Sequence, residues 1–164
     1  MNTTNKPRAL ILARSINVDE EQAFAHPLNP NSEVRGISLS ELAGMTRVGI
    51  HIVSIAPGKE AFIYHKHTTE EEFVYILSGR GIAEIDEEEF EVGPGDFMGF
   101  STPSVAHHLR NPFEEKLVYL MGGERKDVEI ADFPRVGKRI VRIGSTADIV
   151  DDEHIQPFWR RGEE

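Results

Sequence analysis

Residues 58–79 read Gly58-Lys59-Glu60-Ala61-Phe62-Ile63-Tyr64-His65-Lys66-His67-Thr68-Thr69-Glu70-Glu71-Glu72-Phe73-Val74-Tyr75-Ile76-Leu77-Ser78-Gly79. Two histidines stand two apart at the end of Phe62-Ile63-Tyr64-His65-Lys66-His67, an extended run. Alternation along a strand sets both imidazoles on one face, close enough to share an ion. Thr68-Thr69-Glu70-Glu71 then leaves room for a turn that returns the carboxylate of Glu72 towards the pair. Phe73-Val74-Tyr75-Ile76-Leu77 is the next extended run, and Ser78-Gly79 closes it.

Working outward, the texture stays the same. Thr46 to Ala56 is a β-branched and apolar run that stops at Pro57-Gly58. Gly81 to Asp86 and Phe90 to Val92 flank an acidic turn, and Pro94-Gly95-Asp96 breaks the chain again. Phe97 to Phe100, Ala106 to Arg110 and Lys116 to Met121 follow. Together with Glu60 to Lys66, these are about eight short strands punctuated every ~8–12 residues, which predicts an all-β sandwich or barrel. The first ~45 residues, with His26-Pro27-Leu28-Asn29-Pro30-Asn31, read as a lead-in. Ser38 to Leu42 reads as a short helical turn or a loop. The chain beyond Glu124 is charged, with one further strand expected at Arg139 to Ile143. Phe158 and Trp159 are expected to dock on the domain or on a partner subunit.

A second pair of histidines, His107 and His108, lies at the end of a strand run about 40 residues after His67. Neutral imidazoles plus one carboxylate suit a borderline divalent ion such as Fe(II), Mn(II), Ni(II), Co(II) or Zn(II). Four such ligands on a six-coordinate ion leave two positions for water or substrate. A structural zinc would be closed at four ligands and usually includes Cys, and the chain has no cysteine.

Together these residues resemble the cupin superfamily, small barrels built as a double-stranded β-helix. The first family motif is a glycine, a short gap, His-x-His, three or four residues, Glu, six residues and Gly. It matches Gly58, His65, His67, Glu72 and Gly79, and the six-residue gap to Gly79 selects Glu72 over Glu71. The second motif, from a Gly-Asp turn through Pro to His, three residues and Asn, matches Gly95-Asp96, Pro103, His107 and Asn111. That spacing favours His107 over His108, and His107 shares parity with Val105 and Leu109, both expected inward. Val105 stands where many members carry glycine, and the Gly95-to-Pro103 gap is two residues longer than usual.

The resemblance implies an all-β fold, a double-stranded β-helix or cupin jelly-roll barrel with N- and C-terminal extensions. The barrel would span residues 46–121. Residues 1–45 would pack on it, and residues 122–164 on it or on a partner subunit. One divalent transition metal would bind to His65, His67, Glu72 and His107, with Ile63, Val74, Ile76, Met98, Phe100, Tyr119 and Met121 lining the pocket. A mostly apolar pocket with few polar groups suits a small organic ligand. The implied function is dioxygenase- or isomerase-class chemistry on such a molecule, with a non-catalytic binding or sensing cupin as the alternative. Tyr119, Lys66 and Arg110 are polar groups near this region and are read as structural or exposed, and the isolated His26, His51 and His154 as surface or packing residues.

Composition narrows the classes further. Across 164 residues there are 18 Lys and Arg against 28 Asp and Glu, a net charge of −10, so nucleic acid is not an expected partner. Without cysteine, disulfides, thiolate catalysis and iron–sulfur clusters are excluded. The apolar run Ala9 to Ala13 falls far short of the ~20 residues of a membrane helix, and no signal-peptide pattern follows it. A cytoplasmic protein with no membrane partner is expected. Barrel edge strands invite pairing with another chain, which predicts a homodimer.

Overall fold

A computed structural model describes residues 9–17 and 21–159. Among these residues the chain forms thirteen strands: β1 (Gln22–Phe24), β2 (Val34–Ser38), β3 (Val48–Ile55), β4 (Glu60–His67), β5 (Glu72–Ser78), β6 (Gly81–Ile85), β7 (Glu88–Val92), β8 (Phe97–Phe100), β9 (His107–Arg110), β10 (Leu117–Glu124), β11 (Val128–Phe133), β12 (Lys138–Ile143) and β13 (Thr146–Asp151). One short helix, α1 (Leu39–Ala43), starts where the Ser38 hydroxyl accepts the Glu41 amide and stops at Gly44 in the left-handed conformation. No helix among the described residues is long and apolar enough to cross a membrane.

The strands form two antiparallel sheets, in the orders β1-β2-β3-β10-β5-β8 and β13-β12-β11-β4-β9-β6-β7. This is a double-stranded β-helix. Strands β3 to β10 fall at the eight runs expected from the sequence. The segments read as lead-in and charged tail also contribute strands. β2 pairs with β3 from Val34↔Ile55 to Ser38↔His51, and β11 pairs with β4 at Ala131↔His67. Phe158 and Trp159 do not dock on the described residues of this chain. They are 86% and 81% exposed and pack only edge-on against each other.

Alternate residues of the facing strands fill the space between the sheets, as pleating requires. Val53, Ile55, Val74, Ile76, Met98, Phe100, Leu117 and Tyr119 come from one sheet, and Ala61, Ala83 and Leu109 from the other. Two turns show why the chain reverses where it does. Asp86 and Glu87 both take positive φ between the paired Ile85 and Glu88, giving a two-residue hairpin whose twist matches its strands. Gly79 has φ +75°, and a Cβ there would lie 2.3 Å from the Lys116 carbonyl oxygen, so only glycine fits.

Strand β4 is not regular. Its register against β9 shifts between Ala61 and His65, and Phe62 adopts φ +52°. This bulge re-aims the strand just before the two histidines.

Candidate metal centre

Four side chains from three strands meet between the sheets. β4 supplies His65 and His67, β5 opens with Glu72, and β9 opens with His107, which pairs directly with His65. One ligand atom from each of the four lies within 4.8 Å of all the others. His67 Nε2 and His107 Nε2 are 3.0 and 3.2 Å from the same Glu72 oxygen, His65 Nε2 is 3.1 Å from His67 Nε2, and His65 Nε2 is 3.9 Å from that oxygen. Metal–nitrogen bonds of about 2.1 Å at right angles put neighbouring donors about 3 Å apart, which is the spacing found.

The far ring nitrogens fix how these donors are protonated. His65 Nδ1 lies 2.7 Å from the Ile63 carbonyl and His107 Nδ1 lies 3.1 Å from the Val105 carbonyl. His67 Nδ1 lies 3.3 Å from a Glu129 oxygen. Carbonyls and carboxylates only accept, so each Nδ1 carries the proton and each Nε2 presents a lone pair. Three lone pairs then converge on a carboxylate oxygen, an arrangement that repels itself unless a proton or a metal ion sits among them. The donor set therefore fits a divalent metal, and these residues could hold one.

The acid–base balance agrees. Burial and the neighbouring His107 push His65 down to about 3, so it is neutral at any ordinary pH. Burial works against a charge on Glu72, but the surrounding His107 and His67 outweigh it and hold the carboxyl well below the usual range. Burial would also lower His67, yet Glu72 and then Glu129 carry it above the ordinary histidine value. The metal-free site thus recruits a proton where a cation would serve. Metal must displace that proton, so affinity will fall as pH drops through the raised His67 value, by about tenfold per unit for one proton. Isothermal titration with Co(II) at pH 8 and pH 6, in buffers of different protonation enthalpy, measures both the affinity and the proton released.

Glu129, on β11, is the functional residue the sequence did not reveal. It is only 3% exposed. Besides His67, it accepts the amides of Thr68, Thr69 and Glu70 at 3.0, 3.0 and 2.9 Å, and the Thr69 hydroxyl. It thus pins the turn between the second histidine and Glu72, and it orients the His67 ring. Partners of this kind are worth 10–100-fold in metal affinity. Glu129→Gln will weaken Co(II) binding by roughly that factor, as measured by competition with a chromophoric chelator. Nothing in the local sequence marks Glu129, because its contacts lie about 60 residues away.

Two neighbours lock the remaining geometry. The Phe100 ring stacks on His107 with centroids 3.7 Å apart and planes 10° apart. Ser104 accepts the His67 amide through its hydroxyl at 2.7 Å, and its own amide donates to the His67 carbonyl at 2.9 Å. His108 points the other way, 3.6 Å from Glu60. Val105, expected inward, is 46% exposed, because β9 begins only at His107 and the preceding turn is not part of the ladder.

The space around the four candidate ligands comprises an inner chamber and two wider clefts, one of which, about 460 Å³, reaches Glu72 past Phe73, Phe97 and Phe100. An inner chamber of about 30 Å³ is lined by His65, Glu72, His107 and His108 together with Ala61, Phe62, Val74, Met98, Phe100, Leu109, Tyr119 and Met121. Of the residues expected there, Val74, Met98, Phe100, Tyr119 and Met121 take part. Ile63 and Ile76 are buried but do not line it. The bulge explains the first case, since Phe62 turns inward where regular alternation would have put Ile63. The other cleft, of about 400 Å³, opens beside the chamber, reaching His67 and Glu72 and lined by His51, Glu70, Glu71, Met121, Glu124, Arg125 and Arg142. His51, read from sequence as a surface or packing residue, thus faces this cleft. Its ring makes no hydrogen bond among the described residues, and burial followed by the Arg125 charge lowers its basicity. Lys66 and Arg110 are in ion pairs with Asp132 and Glu89, away from the site.

A family model for the cupin domain matches residues 51–123, which contain all four clustered residues. A crystal structure described as a putative sugar phosphate isomerase, from Acidithiobacillus ferrooxidans, superposes with a TM-score of 0.88 at 36% identity, covering 93% of this chain and 97% of that one. The chain belongs to the cupin superfamily. A second solved cupin, described as a sugar phosphate isomerase from Silicibacter pomeroyi, shares the fold with a TM-score of 0.76 at 19% identity, over 85% of this chain and 93% of that one. An uncharacterized protein of Methanocaldococcus jannaschii is 41% identical over 58 residues, 35% of this cupin and 46% of that protein. The chain spans less than half the length of the curated relatives it matches.

Proposed function

We propose that this cupin is a metal-dependent enzyme that isomerises a small hydroxy-carbonyl compound. His65, His67, Glu72 and His107 would hold the ion. The carrying observation is the convergence of three Nε2 lone pairs on Glu72 at the floor of a cleft roomy enough for such a molecule. A bound divalent ion supplies polarisation of a carbonyl or hydroxyl oxygen, without which a proton on the adjacent carbon is too weakly acidic to move. His51, a neutral imidazole on the cleft wall, would take that proton and return it to the neighbouring carbon. The apolar wall of Val74, Met98 and Phe100 keeps bulk water from the inner chamber. The polar cleft suits an oxygen-rich body, with Arg125 available to it because its one ion-pair contact among the described residues, to Glu41, is long at 3.9 Å.

Isomerase chemistry is favoured over dioxygenase chemistry by the likeness, over nearly the full length of both chains, to the Acidithiobacillus protein. The test is to load the protein separately with Fe(II), Mn(II), Co(II), Ni(II) and Zn(II), then follow aldose–ketose interconversion of short sugars and sugar phosphates by proton NMR. Solvent deuterium entering the carbon next to the carbonyl is the expected result. Tight binding with no exchange in any metal form would instead favour the sensing module.

We infer further that the protein is a cytoplasmic homodimer. The outward side of β5 and β8 carries Phe73, Tyr75, Leu77 and Phe97, the last three exposed, an apolar patch suited to a second copy. Light scattering that gives a monomer at micromolar concentration would overturn this.

A further inference from the structure

Tyr119 lies on β10 and is 2% exposed, yet its hydroxyl has no hydrogen-bond partner among the described residues. A buried phenol hydroxyl normally finds a partner, because leaving one unpaired costs stability that a phenylalanine would not cost. The ring faces the inner chamber beside His65, Glu72 and His107. His108 is the one other polar residue on the lining, its Nε2 makes no hydrogen bond among the described residues, and the remaining walls are apolar, so they offer the hydroxyl little to bind. At about 30 Å³ it admits one or two water-sized groups and no ring.

We propose that Tyr119 is a catalytic residue whose hydroxyl donates a hydrogen bond to the single carbonyl or hydroxyl oxygen that a small substrate inserts beside His65, Glu72 and His107. This rests on the function proposed above and adds the substrate's shape. One terminal oxygen enters the chamber, and the rest of a short polar chain lies in the cleft against His51 and Arg125. A phenol keeps its proton at neutral pH. It is therefore a neutral donor aimed at an oxygen on which negative charge grows as the neighbouring carbon loses its proton. A fixed donor of this kind acts most strongly when that charge is largest.

The test compares wild type with Tyr119→Phe, both loaded with Co(II), using glycolate as the probe and the cobalt visible spectrum as the readout. The variant will bind Co(II) within twofold of wild type and glycolate about tenfold or more weakly. Its melting temperature without glycolate will be equal to or above that of wild type, because only an unpaired hydroxyl has been removed. Equal glycolate affinity in the two proteins overturns the proposal, as does a lower melting temperature, which would reveal a protein partner for the hydroxyl. Wild type that takes up Co(II) but no glycolate overturns it too. If wild type takes up no Co(II), the function proposed above falls and this inference falls with it. In each of the other cases that function stands.

Discussion

Exchanging His107 for alanine will leave the protein unable to hold its metal, whereas the same change at His108, the next residue, will leave the metal in place. The two imidazoles sit side by side in the sequence, but alternation along β9 sends them to opposite faces. His107 is buried, stacked on Phe100 and 3.2 Å from the shared Glu72 oxygen. His108 lies beside Glu60, outside the four-residue cluster. Loss of an outer partner of a ligand costs 10–100-fold, so loss of a ligand itself will cost at least ~100-fold. Alanine also leaves Phe100 without its stacking partner and puts a gap where the third imidazole closed the site. Elemental analysis and isothermal titration of the two variants measure the difference. A thermal readout runs in parallel. Free metal at about 1,000 times its Kd stabilises the folded state by ~4 kcal/mol. Wild type and His108→Ala will show that gain, and His107→Ala will show almost none. A His107→Ala protein with wild-type metal content would refute the site.

The four candidate ligands were legible because they obey local rules. His65, His67 and Glu72 lie within eight positions, and a strand followed by a turn is enough to bring them together. His107 is distant in sequence, but its spacing to Asn111 belongs to the same family pattern. What escaped was set by pairing across the sheets. Val34 to Ser38 contains Arg35 and Gly36 and has weak strand character of its own, yet it extends because β3 offers it a ladder. Val128 to Phe133 carries Val128, Ile130, Ala131 and Phe133 among Glu129 and Asp132 with no clean alternation, and it looked like charged tail until β4 and β12 flanked it. Glu129 went unseen for that reason. The misplacement of Ile63 has a different cause. Period-two reasoning assumes an unbroken ladder, and the bulge at Phe62 shifts parity within four residues of the ligands.

Asn111 shows how a motif residue can be mistaken for part of the chemistry. It closes the second motif, but its side chain is 1% exposed and lies outside the ligand cluster. Its amide nitrogen donates to the Ile55 carbonyl at 3.0 Å and the Glu115 carbonyl at 2.8 Å, and its side-chain oxygen accepts the Phe113 amide at 3.1 Å. Its backbone adds two more bonds, accepting the Gly58 amide at 2.7 Å and donating to the Lys59 carbonyl at 2.9 Å. One residue thus ties the end of β3, the turn after it and the loop leading into β10. Asn111→Leu keeps the volume and removes all three side-chain bonds, leaving two carbonyls and one amide without their partner in a site closed to solvent. Each orphaned group costs about 1–3 kcal/mol, and since neighbouring losses are not additive, a total of ~3–5 kcal/mol is expected. In a domain of this size that corresponds to a fall of roughly 10 °C or more in melting temperature. Urea denaturation in the presence of a chelator isolates this effect from metal binding. Below its melting transition the variant will still bind Co(II) within a few-fold of wild type, because β9 reaches His107 through its pairing with β4 and β6, which the substitution does not touch. The opposite pattern, unchanged stability with metal binding lost, would mean that Asn111 serves the metal site rather than the barrel's far seam.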